Sequence, residues 1–199
     1  FSTLASGGIY REPVTILKIT DSEGNILFQH DPEGDDSSKR ILDEPVSNYI
    51  THILRKVIEI GTGRGADIGR PAAGKTGTTN NLQDAWYIGF TPEYVTGVWV
   101  GFDDDRTLGK YETGSRAASP IWVNFSRKIL EKEAVKVFTV PENVVFARID
   151  PETGELANPS DEKAIFEAFK EGTAPTKTTE VTRPAIDDFF KGDLDAEPM

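Results

Sequence analysis

The chain has 199 residues, enough for one domain and part of another. Its 33 acidic and 22 basic residues give a net charge of −11, and with no basic cluster this argues against a nucleic-acid partner. No cysteine is present, which excludes disulfides and thiolate metal sites, and no apolar run approaches the roughly 20 residues of a membrane-spanning helix.

The charge is uneven. From Asp150 onward there are 13 acidic and 5 basic residues, against 20 and 17 before it. Hydrophobic residues make up 37%, low for a complete globular domain, as expected when part of the chain is tail.

In chain order, residues 1–6 read as the end of a helix stopped by Gly7-Gly8. Residues 14–20 and 25–29 form a predicted hairpin around Asp21-Ser22-Glu23-Gly24. An acidic, solvated loop is expected over residues 31–39. Asp43 then caps a predicted helix with Pro45 in its first turn and Ile50, Ile53, Leu54, Val57 and Ile58 on the buried face. It ends at Gly61, and a glycine-rich loop leads to a strand containing Lys75.

Residues 85–90 and 94–102 pair as a second hairpin turning at Thr91-Pro92. Pro120 opens a helix to about Glu131 that buries Ile121, Trp122, Phe125 and Ile129. Residues 144–149 make a strand, Asp150-Pro151-Glu152-Thr153-Gly154 a turn, and a helix is expected from Asp161. The expected fold is α/β layered: an antiparallel sheet packed with helices, plus a small C-terminal extension. Domain limits are expected at residues 1–135, 136–173 and 174–199, the last a disordered acidic tail in which residues 187–191 read more simply as solvated chain than as a docking motif.

The chemistry concentrates in Gly69-Arg70-Pro71-Ala72-Ala73-Gly74-Lys75-Thr76-Gly77-Thr78-Thr79. Gly69 to Thr76 satisfies the P-loop pattern G-x-x-x-x-G-K-[ST], which would make the chain a nucleotide-binding enzyme. A P-loop needs a strand ending at its first glycine and a helix starting at its lysine. Here three glycines and two charges precede Gly69, Pro71 removes an amide donor, and Gly77-Thr78-Thr79-Asn80-Asn81 is poor helix material.

In a strand, by contrast, Thr76 and Thr78 share a face and both hydroxyls can meet a carboxylate. Gly77 between them lets a substrate backbone lie close, and Lys75 adds a positive charge. Thr79, Asn80 and Asn81 either line that groove or close the strand.

The run Ala72-Ala73-Gly74-Lys75-Thr76-Gly77-Thr78-Thr79-Asn80-Asn81, with Asp84-Ala85-Trp86-Tyr87-Ile88-Gly89-Phe90-Thr91-Pro92, resembles class A (bifunctional) penicillin-binding proteins. The resemblance extends through Val98-Trp99-Val100-Gly101-Phe102-Asp103-Asp104, Glu112-Thr113-Gly114 and Ala117-Ala118-Ser119-Pro120-Ile121-Trp122. It takes in Thr3-Leu4-Ala5-Ser6-Gly7-Gly8 before these, and residues 149–157 and 169–175 after them.

It implies the C-terminal part of a transpeptidase domain, acting in peptidoglycan cross-linking by serine acyl transfer and acylated by β-lactams. Lys75 and Thr78 would be catalytic. Thr76, Gly77, Thr78, Thr79 and Asn80 would bind substrate, with the Thr78 amide in the oxyanion hole. The family's Ser-x-x-Lys and Ser-x-Asn motifs are absent before Lys75. The one literal Ser-x-x-Lys, from Ser160 to Lys163, reads as a helix N-cap. With no Met before Phe1, the nucleophile, a glycosyltransferase domain and the membrane anchor are expected upstream, on the outer face of a bacterial cytoplasmic membrane. The partners implied are stem peptides, β-lactams and the upstream half of the domain. A non-catalytic scaffold of the same fold is the remaining alternative.

No cofactor is implied, and two distant histidines, His30 and an exposed His52, suggest no metal site. Asp103-Asp104-Asp105 reads as a polar turn. Trp86, Trp99 and Trp122 read as core aromatics.

Overall fold

The structure, a computed structural model, describes residues 1–31 and 37–179. Most of the acidic loop expected over residues 31–39 and all of residues 180–199, with the segment 187–191, lie outside the described residues. The chain divides into two compact units, Phe1–Asn143 and Val144–Met199. Among the described residues no helix is long and apolar enough to cross a membrane.

The first unit begins with a short helix α1 (Ser2–Ala5), a strand β1 (Ile9–Tyr10), a hairpin β2 (Lys18–Thr20) and β3 (Ile26–Gln29), and β4 (Lys39–Arg40), which pairs with β1. The hairpin turn is built by Asp21. Its carboxylate accepts the Asn25 side-chain amide at 2.8 Å and the backbone amides of Asn25 and Glu23, and these bonds hold its carboxyl below the usual range.

Helix α2 (Glu44–Glu59) starts after Asp43 with Pro45 in the first turn, as expected, although the Asp43 side chain makes no capping bond. Its buried residues are Ser47, Thr51 and Ile58, while Ile50, Leu54 and Val57 are half-buried and Ile53 is 60% exposed. The expected apolar face is thus rotated, because the N-terminal half of α2 lies against α1 through small residues. The Ser47 hydroxyl donates to the Leu4 carbonyl at 2.8 Å, a contact that a bulky aliphatic would prevent. His52 is half-buried rather than exposed.

The sheet that carries the site runs β5 (Ala73–Thr78), β6 (Asp84–Phe90), β7 (Val95–Gly101), antiparallel throughout. Its register sets Thr76 opposite Tyr87 and Val98, and Gly77 opposite Trp86 and Trp99. Helix α3 (Ser119–Ile129) packs on the Tyr87 face, with the Trp122 ring 5.1 Å from the Tyr87 ring. Ile58, Ala66, Ile68, Ala72, Ala118, Val123 and Leu130 complete that core. Gly89 makes the close approach possible, since a β-carbon there would lie 2.6 Å from the indole.

Only Trp122 of the three tryptophans is core. Trp86 and Trp99 are 43% and 45% exposed, because the pleat turns them to the face opposite Tyr87. Ile121 and Phe125 are exposed as well. The helical period directs Trp122, Val123 and Ser126 inward and carries those two positions to the outer side of α3.

Between α2 and β5, a turn of 3-10 helix (Arg64–Ala66) and an extended loop are tied to α3. The Arg70 guanidinium donates to the carbonyls of Leu130, Glu133 and Ala134 at 2.8–3.1 Å, and Arg127 donates to the Asp67 carbonyl at 2.8 Å.

The second unit, described by itself, is a two-stranded ladder of β8 (Val144–Ile149) and β9 (Ile165–Lys170). The helix expected from Asp161 is not formed. Residues 158–164 turn, and Ile165-Phe166-Glu167-Ala168-Phe169-Lys170, rich in aromatic and β-branched side chains, pairs along β8. Arg148 holds that turn by donating to the carbonyls of Asn158, Pro159 and Asp161. Ser160 is therefore not a helix cap. Part of the expected tail is ordered: the Leu156 amide donates to Lys177, the Thr179 amide donates to Leu156, and Lys177 pairs with Glu155 at 2.6 Å.

Candidate active site

Among the described residues β5 is the edge strand of its sheet, so every second amide and carbonyl points away from β6 toward anything lying beside it. Lys75 and Thr78 are exposed, and Thr76 and Gly77 are half-buried. The Lys75 ammonium donates to the Thr76 carbonyl at 2.9 Å, folded along its own strand, and has no carboxylate partner among the described residues. It places an uncompensated positive charge at the strand edge.

The two hydroxyls expected to share a face are each met from a different loop. Thr76 Oγ1 lies 3.2 Å from Thr62 Oγ1, and Thr78 Oγ1 accepts the Gly114 amide at 3.0 Å. The Thr78 proton is left free to donate outward, because a hydroxyl that accepts one bond keeps its own hydrogen. This is the donor arrangement a carboxylate requires.

Thr79 closes the turn after β5. Its Oγ1 accepts the amides of Gln83 and Asp84 at 3.1 and 2.9 Å, while Asn80 and Asn81 are exposed in that turn. The structure thus brings Lys75, Thr76, Gly77 and Thr78 onto one strand edge, with Thr79 and Asn80 just past its end. Asp103, Asp104 and Asp105 lie in an exposed turn, where Asp104 pairs with Arg106 at 2.7 Å.

Two residues of this arrangement carry no site role in the sequence reading: Thr62, and Gly114, which enters there only within the Glu112-Thr113-Gly114 string. Gly114 opens a turn of π-helix (Gly114–Ala118) ahead of α3 and is buried against the sheet. A β-carbon there would lie 2.3 Å from the Trp86 carbonyl and 2.5 Å from that of Gly77, so only glycine allows its amide to reach Thr78. The Gly61-Thr62-Gly63 string was the available sign for Thr62, but it reads equally as a helix stop.

The P-loop alternative is overturned. No strand ends at Gly69, and Gly74, Lys75 and Thr76 lie inside β5, paired in register with Gly89, Ile88 and Tyr87. A turn follows β5, so no helix N-terminus is available to cradle phosphate.

Residues 1–126 match the penicillin-binding protein transpeptidase domain, and residues 140–184 match the penicillin-binding protein 1A C-terminal domain. Penicillin-binding protein 1A of Aquifex aeolicus is 36% identical over 88% of this chain and 24% of its own length. That of Pseudomonas aeruginosa is 32% identical over the whole chain and 29% of its own length. Among solved structures, penicillin-binding protein 1A from Haemophilus influenzae superposes with a TM-score of 0.73 at 29% identity, covering 90% of this chain and 32% of that one. PonA1 from Mycobacterium tuberculosis gives 0.58 at 30% identity, over 70% of this chain and 39% of that one. The chain thus spans a quarter to two-fifths of the length of these relatives. With a family model covering most of its length and a shared fold, the chain belongs to the penicillin-binding protein transpeptidase family.

Proposed function

We propose that this chain supplies the Lys75-Thr76-Gly77-Thr78 wall of a D,D-transpeptidase site that cross-links peptidoglycan stem peptides and is acylated by β-lactams. The observation that carries the reading is the pair of tethered threonine hydroxyls beside an uncompensated lysine on an open strand edge. A stem peptide ending in D-Ala-D-Ala would lie along β5, its terminal carboxylate accepting from Thr76 and Thr78 and held by the charge of Lys75. Gly77 gives its backbone clearance.

The serine oxygen bonds to the penultimate carbonyl carbon, and the oxyanion that forms is held by the Thr78 amide with the nucleophile's own amide. The C–N bond to the last D-Ala then breaks, and the proton lost by the serine leaves on that amine. An amine of a neighbouring strand attacks the ester, forms the new amide and returns a proton to the serine.

The serine would come from a part of the parent polypeptide outside this sequence. Ser160, in the one literal Ser-x-x-Lys, sits in a non-helical turn, where a serine and a lysine three residues apart are not stacked on one face as on a helix. Thr79 and Asn80 would bound the groove. The site would work on the outer face of the bacterial cytoplasmic membrane, anchored through another segment. Residues 136–173 would be an accessory extension, and the acidic stretch beyond them a tail.

The test is peptide mapping of the full-length protein after incubation with a labelled penicillin. The expected adduct is on a serine outside residues 1–199. An adduct on Ser160, or no adduct at all, would overturn the assignment; the latter would favour a scaffold without chemistry.

A further inference from the structure

Thr78 and Thr76 differ in how their hydroxyls are set. The Gly114 amide can only donate, so Thr78 Oγ1 is an acceptor in that contact and its proton is directed elsewhere. Among the described residues, the partner of the Thr76 hydroxyl is another hydroxyl, Thr62 at 3.2 Å, and either oxygen can be the donor. An ionised carboxylate accepts only. When Thr76 gives its proton to a carboxylate, the Thr62 contact must therefore run from Thr62 to Thr76, and the two hydroxyls form a chain ending on the ligand. Such a chain polarises along its length.

The loop bearing Thr62 is suited to this. The Gly61 amide donates to the Lys56 carbonyl at 3.0 Å and the Gly63 amide to the Val57 carbonyl at 2.9 Å, which fastens both neighbours of Thr62 to the last turn of α2. A β-carbon at Gly61 would lie 2.9 Å from Val57 backbone atoms, and one at Gly63 would lie 3.1 Å from the Val57 carbonyl oxygen. The flanking residues therefore press onto the helix, and Thr62 is the one side chain between them that reaches β5. Its position is inherited from α2, independently of the strand it contacts.

We infer that Thr62 is a positioning residue: it fixes the rotamer and donor direction of the Thr76 hydroxyl toward the terminal carboxylate of the acyl donor. This rests on the transpeptidase reading above and adds a specificity role within it. A threonine without a partner samples more than one χ1 well, so an unanchored Thr76 would present its proton to the ligand only part of the time.

The test uses the full-length protein with Thr62→Val, which keeps shape and removes the hydroxyl, and Thr62→Ser, which keeps the hydroxyl. Second-order acylation rates are measured with a penicillin and with its methyl ester, alongside thermal melts. Thr62→Val is expected to slow the free-acid penicillin about five- to tenfold while changing the ester rate less than about twofold, as for loss of one bond in a charge-assisted chain. Thr62→Ser restores the free-acid rate. In a double-mutant cycle, Thr62→Val adds little once Thr76 is Val.

Equal slowing of acid and ester, no slowing, or failure of Ser to restore the rate would each overturn the inference while the enzyme reading stands. If the wild-type protein takes no penicillin, both fall together. Should Thr62→Val melt markedly lower, Thr62→Ala read by the same acid-to-ester ratio decides.

Discussion

Gly114 has no side chain, yet it fixes the direction of a hydroxyl on β5: its amide donates to Thr78 Oγ1, and its missing β-carbon lets the loop sit on the carbonyls of Gly77 and Trp86. Backbone atoms cannot move aside as a flexible side chain can. Gly114→Ala is therefore expected to cost about 1–3 kcal/mol in a thermal or urea melt and to slow penicillin acylation about tenfold through loss of a charge-assisted contact at Thr78. A variant with wild-type stability and rate would show that the loop yields freely. Tyr87 gives the opposite case. Its ring is fully buried against Trp122, but its hydroxyl makes no hydrogen bond among the described residues, and burial pushes its ionisation well above the ordinary value. The sign follows from linkage: a group that stays neutral in the fold but ionises near pH 10 when unfolded leaves stability intact below that pH and erodes it above. Tyr87→Phe should thus be neutral or slightly stabilising near pH 7, within about 1 kcal/mol, and should flatten the alkaline limb of a stability–pH curve. A loss of several kcal/mol at neutral pH would mean that the hydroxyl is satisfied after all.

Among the elements, α3 depends on a residue that lies before β5. Arg70 gathers the carbonyls of Leu130, Glu133 and Ala134, in the segment just past the last turn of α3, where positive charge is favoured. Arg70→Ala is expected to lower stability by about 1–3 kcal/mol, and Arg70→Lys to recover only part, because one ammonium cannot serve three carbonyls from a planar fork. Equal melting of Lys and wild type would refute the fork argument. Position 70 also shows what a sequence conceals: it reads there as one letter of a loop, and its partners are some sixty residues away. The elements with strong local signals were legible. Pro45 and Pro120 mark real helix starts, Asp21 a real turn, and the alternation through Trp86, Tyr87, Trp99 and Val100 a real hairpin. Legibility failed where tertiary partners decided, as in the strand at Ile165–Lys170 that reads as helix until β8 is beside it. At the site, the strand edge from Lys75 to Thr78 could be read from alternation and resemblance. The roles of Thr62 and Gly114 could not: Thr62 carries no motif, and Gly114, although it lies in the Glu112-Thr113-Gly114 string of the resemblance, acts by touching a distant chain segment.

For the whole molecule, the contacts seen to shape the strand edge among the described residues lie within Phe1–Asn143: β6 beside β5, Thr62 from the end of α2, and Gly114 from the turn before α3. The core beneath, around Tyr87 and Trp122, also belongs to that unit. In the unit from Val144 onward, the two strands pair along six residues each and the turn is held by Arg148. Units with separate cores and ladders contribute separately to stability. Ending the full-length protein after Asn143 should therefore leave the rate of penicillin acylation within about twofold of wild type, and a melt should lose only the transition belonging to the removed part. Residues 144–199, the part removed, hold 13 acidic and 6 basic residues, most of the net charge of −11 in this sequence. Its loss should accordingly weaken whatever salt dependence the acylation by an anionic penicillin shows, because long-range repulsion between like charges is screened by ions. A tenfold fall in rate at all salt concentrations would show instead that the second unit takes part in the site. A change confined to low salt would identify its influence as one of charge alone.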